Sequence, residues 1–162
     1  VNLAPNFYLA RGEMCRTHLA LDHSEEAVSC YETLLKHAPP NAETDSNYGV
    51  ALIRMGKYKM AIATLEKTVR LFPYHAAAYN NLGSAFLRNG QYRRALGPLQ
   101  RAIELEPEQE QARYNLAVAY LALNHKSAAL DQYAILKRTN ETSAKALYQL
   151  MFGKWLLSAK PE

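Results

Sequence analysis

The stretch AYNNLGSAFLRNGQYRRALGPLQRAIELEP, residues 78–107, decides the fold. Tyr79, Leu82, Gly83 and Phe86 are spaced three, one and three residues apart, which is one face of a helix. Gly90 suits a left-handed helix end. A second helical face follows in Ala95, Leu99, Ala102 and Ile103. Pro107 bars that helix from continuing. The small residue beside each large one lets two helix backbones approach closely. The stretch therefore reads as helix, turn, helix. Pro98 falls inside the second helix, where it removes one backbone bond and is expected to kink the chain.

The pattern repeats outward in both directions. Pro5, Pro39, Pro73 and Pro107 are 34 residues apart, and so are Ala27, Ala61, Ala95 and Ala129. Met14, Tyr48, Leu82 and Leu116 are large; Cys15, Gly49, Gly83 and Ala117 follow them and are small. Tyr31, Leu65, Leu99 and Tyr133 are large again. One unit cannot cover its own apolar faces, so neighbours must stack.

These residues resemble the tetratricopeptide repeat family, a 34-residue helix–turn–helix unit, over nearly the whole chain. The units fall at 8–41, 42–75, 76–109 and 110–143. The departures are local. Asp22 and Asn124 stand where the other units have Gly56 and Gly90, and unit four has Glu141 where the others have Pro. The resemblance implies an all-α right-handed solenoid of four repeats plus a C-terminal capping helix. Val1 aligns with Val69 and Ile103, and Leu3 with Leu71 and Leu105, so residues 1–7 read as the tail of a preceding unit or a lead-in, and the chain as cut from a longer array. Residues 144–159 read as one more helix within a C-terminal segment, 144–162. Leu147, Leu150, Met151 and Trp155 are expected on its packing stripe, with Tyr148, Phe152 and Leu156 on a second apolar stripe.

Composition narrows the function. The 162 residues are 49% apolar and 21% charged, ordinary for a globular chain and unlike a disordered one. No apolar run reaches the roughly 18–20 residues of a membrane-spanning helix. The net charge of +4 is far from the dense basic stripe of a nucleic-acid binder. Arg93, Arg94 and Arg101 form a small basic cluster that reads as a solvated face. No phosphate-binding glycine loop, H-E-x-x-H, G-x-S-x-G or C-x-x-C occurs, so neither an enzyme nor a cofactor site is expected. Cys15, His18 and Cys30 share one unit, but Cys15 stands at the small packing position and His18 at a large one. Core packing is therefore expected ahead of a metal site or a Cys15–Cys30 disulfide. Two thiols in packing positions lean toward a reducing cytoplasm, although the family is also common in the bacterial periplasm. Asn140-Glu-Thr has the form of a glycosylation sequon, a pattern that arises often by chance.

Stacked helix pairs offer an extended concave surface. The resemblance implies that the first helix of each unit lines it and that it binds a peptide segment or partner helix. Asn47, Asn81 and Asn115 occupy one place in three successive units, while unit one has Glu13 there. An amide offers donors and an acceptor to the peptide groups of an extended chain. The row resembles the asparagine ladder of the superhelical array of O-linked N-acetylglucosamine transferases; the alternative is that these amides bond within the stack. Arg16, Ser46, Val50, Asn80, Ser84, Tyr114 and Val118 should line the same groove, with Arg54 and Arg88 near the helix ends and Tyr148 and Phe152 continuing it on the last helix. Acidic residues there are few, so an acidic segment is the expected partner. One subgroup of the family clamps chaperone C-termini with Lys and Asn. Gly12, Arg16, Ala77 and Asn81 stand at those places here, and the lysines are missing. The chain thus reads as a protein-interaction scaffold. Two alternatives are the substrate-presenting arm of a larger enzyme such as a glycosyltransferase, and a module that self-associates through Tyr148, Phe152, Trp155 and Leu156.

Overall fold

A computed structural model describes the backbone of residues 5–158 and the side chains of residues 7–152. Nine helices form among them, and no strand: α1 (Pro5–Ala20), α2 (Ser24–Leu35), α3 (Ala42–Arg54), α4 (Tyr58–Leu71), α5 (Ala76–Arg88), α6 (Tyr92–Leu105), α7 (Glu110–Ala122), α8 (Lys126–Thr139) and α9 (Glu141–Ser158). The starts of α3, α5 and α7 are 34 residues apart. Asn41 opens α3 by accepting the Thr44 amide at 2.9 Å, and Asn140 opens α9 by accepting that of Ser143 at 2.8 Å.

The four turns within units share one geometry. Gly56 and Gly90 have φ of 72° and 73°, and Asp22 and Asn124 hold the same left-handed place at 61° each. The next amide bonds five residues back in every case: His23 to His18, Lys57 to Leu52, Gln91 to Phe86, and His125 to Tyr120. Asp and Asn are the side chains that tolerate this conformation best, so the two departures from glycine leave the turn intact.

Packing follows the large–small pairs. Ala27, Ala61, Ala95 and Ala129 are fully buried, as are Leu65 and Leu99. Leu65 and Leu99 lie directly over Gly49 and Gly83. Met14, the unit-one equivalent of buried Leu82 and Leu116, is exposed, because no helix among the described residues covers that side of α1. Odd-numbered helices touch their odd neighbours from α1 through α9, whereas even-numbered helices of successive units do not meet. The stack therefore bends with α1, α3, α5 and α7 inside. The four first helices consequently share one inner surface.

Several expectations are corrected. Cys15 and Cys30 form a disulfide between α1 and α2, with Cα atoms 5.4 Å apart. The two-helix hairpin brings the small position of one helix opposite its partner, which the spacing in sequence does not reveal. The argument from reduced thiols for a reducing cytoplasm therefore lapses. Pro98 does lie inside α6, as expected, and the helix runs on to Leu105. On α9, Leu147 is buried but Leu150 is exposed, so Leu150 is not on the packing stripe. Trp155 and Leu156 lie outside the described side chains, and most of the 1–7 segment lies outside them too, although Pro5 already begins α1.

Candidate functional site

The inner surface is built from three parallel rows, each with one residue per unit. Gly12, Ser46, Asn80 and Tyr114 form the first, Glu13, Asn47, Asn81 and Asn115 the second, and Arg16, Val50, Ser84 and Val118 the third. The rows do not stay independent. Asn81 Nδ2 donates to Ser46 Oγ at 2.9 Å, and Asn115 Nδ2 donates to Asn80 Oδ1 at 3.0 Å. Each bond links the second row of one unit to the first row of the unit before. Gln111 also donates to Asn115 Oδ1 at 3.2 Å. Two of the three asparagines thus stitch adjacent units together. Asn47 makes no such bond, because Gly12 stands where a partner would be.

A cavity of about 270 Å³ opens at this junction between α1 and α3. Tyr8, Leu9, Gly12, Glu13 and Arg16 form one wall; Asn41, Glu43, Thr44 and Asn47 form the other; Tyr31, Leu34, Ala38 and Pro39 close it. Tyr31 is only 1% exposed, yet its hydroxyl has no hydrogen-bond partner. Burial pushes this phenol up to about 12; the Arg16 guanidinium opposes the shift, Glu43 and Glu13 add to it, and the Asn47 amide lowers it slightly.

Charge at this end does not follow the positive lean expected of the groove. Arg16 is held by Glu13, with Nε to Oε2 at 3.1 Å, so its charge is already met. Glu43 makes no ion pair among the described residues, although Arg16 across the cavity senses its charge, and with Glu13 it leaves the lining net negative. Arg54 donates to the Leu19 carbonyl at 2.6 Å and to Asp22 at 3.2 Å, tying the turn of unit one to α3. It is occupied in holding the stack. Arg88 remains exposed. Val50, Ser84 and Val118 are half-buried along the inner surface, with Val50 packed on the main core and Tyr114 on a smaller cluster around Leu136 and Leu147.

Farther along, Tyr148 and Phe152 stack with ring centroids 4.7 Å apart, and Tyr133 lies 6.1 Å from Tyr148. This aromatic group sits on α8 and α9, away from the cavity. Of the basic cluster, Arg94 lies over the Phe86 ring at 4.4 Å and pairs with Glu66, and Arg101 pairs with Glu104. Asn140 donates to Glu110 while capping α9. No group of three His, Cys, Asp or Glu side chains is placed to hold a metal among the described residues. No helix among them is long and apolar enough to cross a membrane.

Helix pairs of constant period, stacked by their small residues and presenting one shared inner surface, define a helical-repeat solenoid. Tetratricopeptide repeat models match residues 40–108 and 80–144, and the chain belongs to the tetratricopeptide repeat family, with its right-handed solenoid fold. No curated protein sequence matches it. Among solved structures it is similar to MamA (residue 41 to the end) from Desulfovibrio magneticus RS-1, with 22% identity, a TM-score of 0.75, and coverage of 83% of this chain and 76% of that one. It is similar to YrrB, a repeat protein described as having an unusual peptide-binding site (21%, TM-score 0.74, 88% and 74%). It is also similar to the first repeat domain of Spaghetti (RPAP3) bound to an HSP90 peptide, SRMEEVD (23%, TM-score 0.71, 76% and 98%). At these identities the likeness is one of fold.

Proposed function

We propose that this chain is a protein-interaction scaffold that docks an extended segment of a partner protein along the inner surface of α1, α3, α5 and α7, and carries out no chemistry of its own. The observation that carries the reading is the continuous inner surface, on which half-buried Val50, Ser84 and Val118 alternate with polar amides and one cavity opens. Alternating apolar and amide groups match an extended chain, which presents peptide groups and side chains in turn. The peptide-bound fold of Spaghetti and the peptide-binding site of YrrB support the same use of this architecture. The test is a selection of displayed random 12-residue peptides on the wild-type chain. Selected peptides should lose binding to an inner-surface variant carrying Val50→Glu, Ser84→Glu and Val118→Glu, and keep it with the exposed α4 change Lys59→Glu. Equal binding to all three proteins would refute inner-surface docking.

Exposed Tyr148 and Leu150 on α9 favour a second surface, for self-association. A mass by light scattering that stays at 18.2 kDa as concentration rises would remove it.

A further inference from the structure

We propose that the gap between Gly12 and Asn47 is the anchor point of the docked segment, and that it takes one bulky apolar side chain flanked by a Lys or Arg. The inference rests on the peptide-docking reading and adds which junction of the stack does the selecting.

The argument starts from a break in the repeat. In the next two junctions the amide of the later unit gives one N–H to the unit before, to Ser46 from Asn81 and to Asn80 from Asn115. At the first junction the corresponding partner is Gly12, which has no side chain to offer. Asn47 therefore gives no hydrogen bond to the preceding row, and its amide, beside the Tyr31 hydroxyl, can meet a peptide group. Beside it, the Tyr31 hydroxyl is buried without a partner. A buried unpaired hydroxyl is destabilising, and an incoming carbonyl can accept its hydrogen bond. Unit one has tyrosine here where units two and three have Leu65 and Leu99, so no other junction among them carries this hydroxyl.

The missing side chain also makes the space. About 270 Å³ is less than the roughly 300–1,000 Å³ of sites for drug-sized molecules, and it suits a single side chain. Leu9, Leu34 and Ala38 give it an apolar wall. Charge complementarity fixes the neighbour: Glu13, Glu43 and Arg16 give the rim a net negative charge, Arg16 is bonded to Glu13 and Glu43 makes no ion pair, so the rim favours a cation.

Gly12→Ser is the decisive variant. A Cβ at Gly12 would lie 3.8 Å from Thr44 Oγ1 and 3.9 Å from a Leu34 methyl, ordinary contact distances. The variant should fold as wild type, pair its hydroxyl with Asn47 as Ser46 pairs with Asn81, and fill the mouth of the cavity. The peptides selected on the wild-type chain should share an apolar residue next to Lys or Arg. They should bind G12S and Asn47→Ala at least tenfold more weakly, and Glu43→Gln several-fold more weakly at low salt. Equal affinity for wild type and G12S, together with loss on the Val50, Ser84 and Val118 variant, would overturn this anchor and leave inner-surface docking standing. Loss on G12S with no loss on that variant would support the cavity as a binding point but refute a segment docked along the inner surface, and with it the anchor as stated. An acidic consensus, or no selected peptide at all, would overturn the anchor as stated.

Discussion

Gly49 is where the stacking argument can be pressed hardest. A Cβ built on it would lie 2.6, 2.7 and 2.9 Å from Cγ, Cδ2 and Cδ1 of Leu65, and Leu65 is fully buried. Ordinary carbon contacts are near 3.5–4.0 Å, so α3 and α4 must separate or Leu65 must leave its rotamer. Such overpacking costs about 1–3 kcal/mol. Alanine is the better helix former by about 0.5–1 kcal/mol, which offsets part of this. Gly49→Ala should therefore destabilise by about 0.5–2 kcal/mol. At about 2–4 °C per kcal/mol for a chain of this length, thermal melting should fall by several degrees. Gly12, on α1, supplies the control. A Cβ there meets only ordinary contacts, Thr44 Oγ1 at 3.8 Å and a Leu34 methyl at 3.9 Å, so Gly12→Ala keeps the helix gain without the clash and should raise the melting temperature. The cycle with Leu65 sharpens the test. Leu65→Ala alone should cost about 2–5 kcal/mol through its cavity. In that background the clash is gone, and Gly49→Ala should become stabilising, a coupling of about 1–3 kcal/mol. If Gly49→Ala stabilises the wild-type chain as much as Gly12→Ala does, glycine is not there to admit Leu65 and the close-approach account is wrong.

Ala61 and Ala95 are fully buried at the equivalent place on α4 and α6, so Ala61→Leu and Ala95→Leu should each cost about 1–3 kcal/mol in chemical denaturation, and unchanged midpoints would refute the register. The Cys15–Cys30 disulfide closes a sequence separation of 15, so reduction, or the Cys15→Ser, Cys30→Ser pair, should cost about 3 kcal/mol. Thiol alkylation of the denatured, unreduced chain should label neither cysteine, and labelling of both would refute the bond. Burial raises Tyr31 and Tyr48 from the ordinary 10 to about 12, with Glu32 adding to the shift at Tyr48. The fold favours the neutral phenols, so their contribution is whole below pH 10 and is lost as pH rises through 12. A tyrosinate absorbance step near pH 12 should shrink in Tyr31→Phe and again in Tyr48→Phe.

The scaffold was legible because it is periodic. Gly83 beside Leu82, Pro107 after Ile103 and Gly90 at the turn each recur at a fixed distance, and a fixed distance in sequence becomes a fixed place in a stack. Even the replacement of glycine by Asp22 and Asn124 was readable as a position, and the structure puts both in the same left-handed turn. Contacts that depend on three dimensions were less so. Register places Asn47, Asn81 and Asn115 in one row, but it does not tell whether an amide faces solvent or reaches the unit before. That is settled by the partner at the preceding row, Gly12, Ser46 or Asn80. Arg16 and Arg54 looked available because their partners, Glu13 and the Leu19 carbonyl, are set by rotamer and by a turn 35 residues away. The disulfide escaped for a similar reason, since its geometry depends on how two helices cross.

Seen this way, the period and its exceptions do different work. Identical large–small pairs make every junction alike, and a surface of identical junctions would have no preferred place for a ligand. Preference requires a unit that departs from the rule. Unit one departs at Gly12, Glu13, Cys15, Arg16 and Tyr31 at once, and these changes converge on one junction. Gly12 opens the space and releases Asn47, Tyr31 brings a hydroxyl where units two and three bring leucine, and Glu13 neutralises the nearby arginine. Opening a cavity beside α1 also removes packing from a helix that rests mainly on α2. Cys15, one helical turn from Gly12 on α1, ties that helix to α2 through Cys30. The disulfide therefore offsets the packing that the cavity gives up, and holds Gly12, Glu13 and Arg16 in register with Asn47.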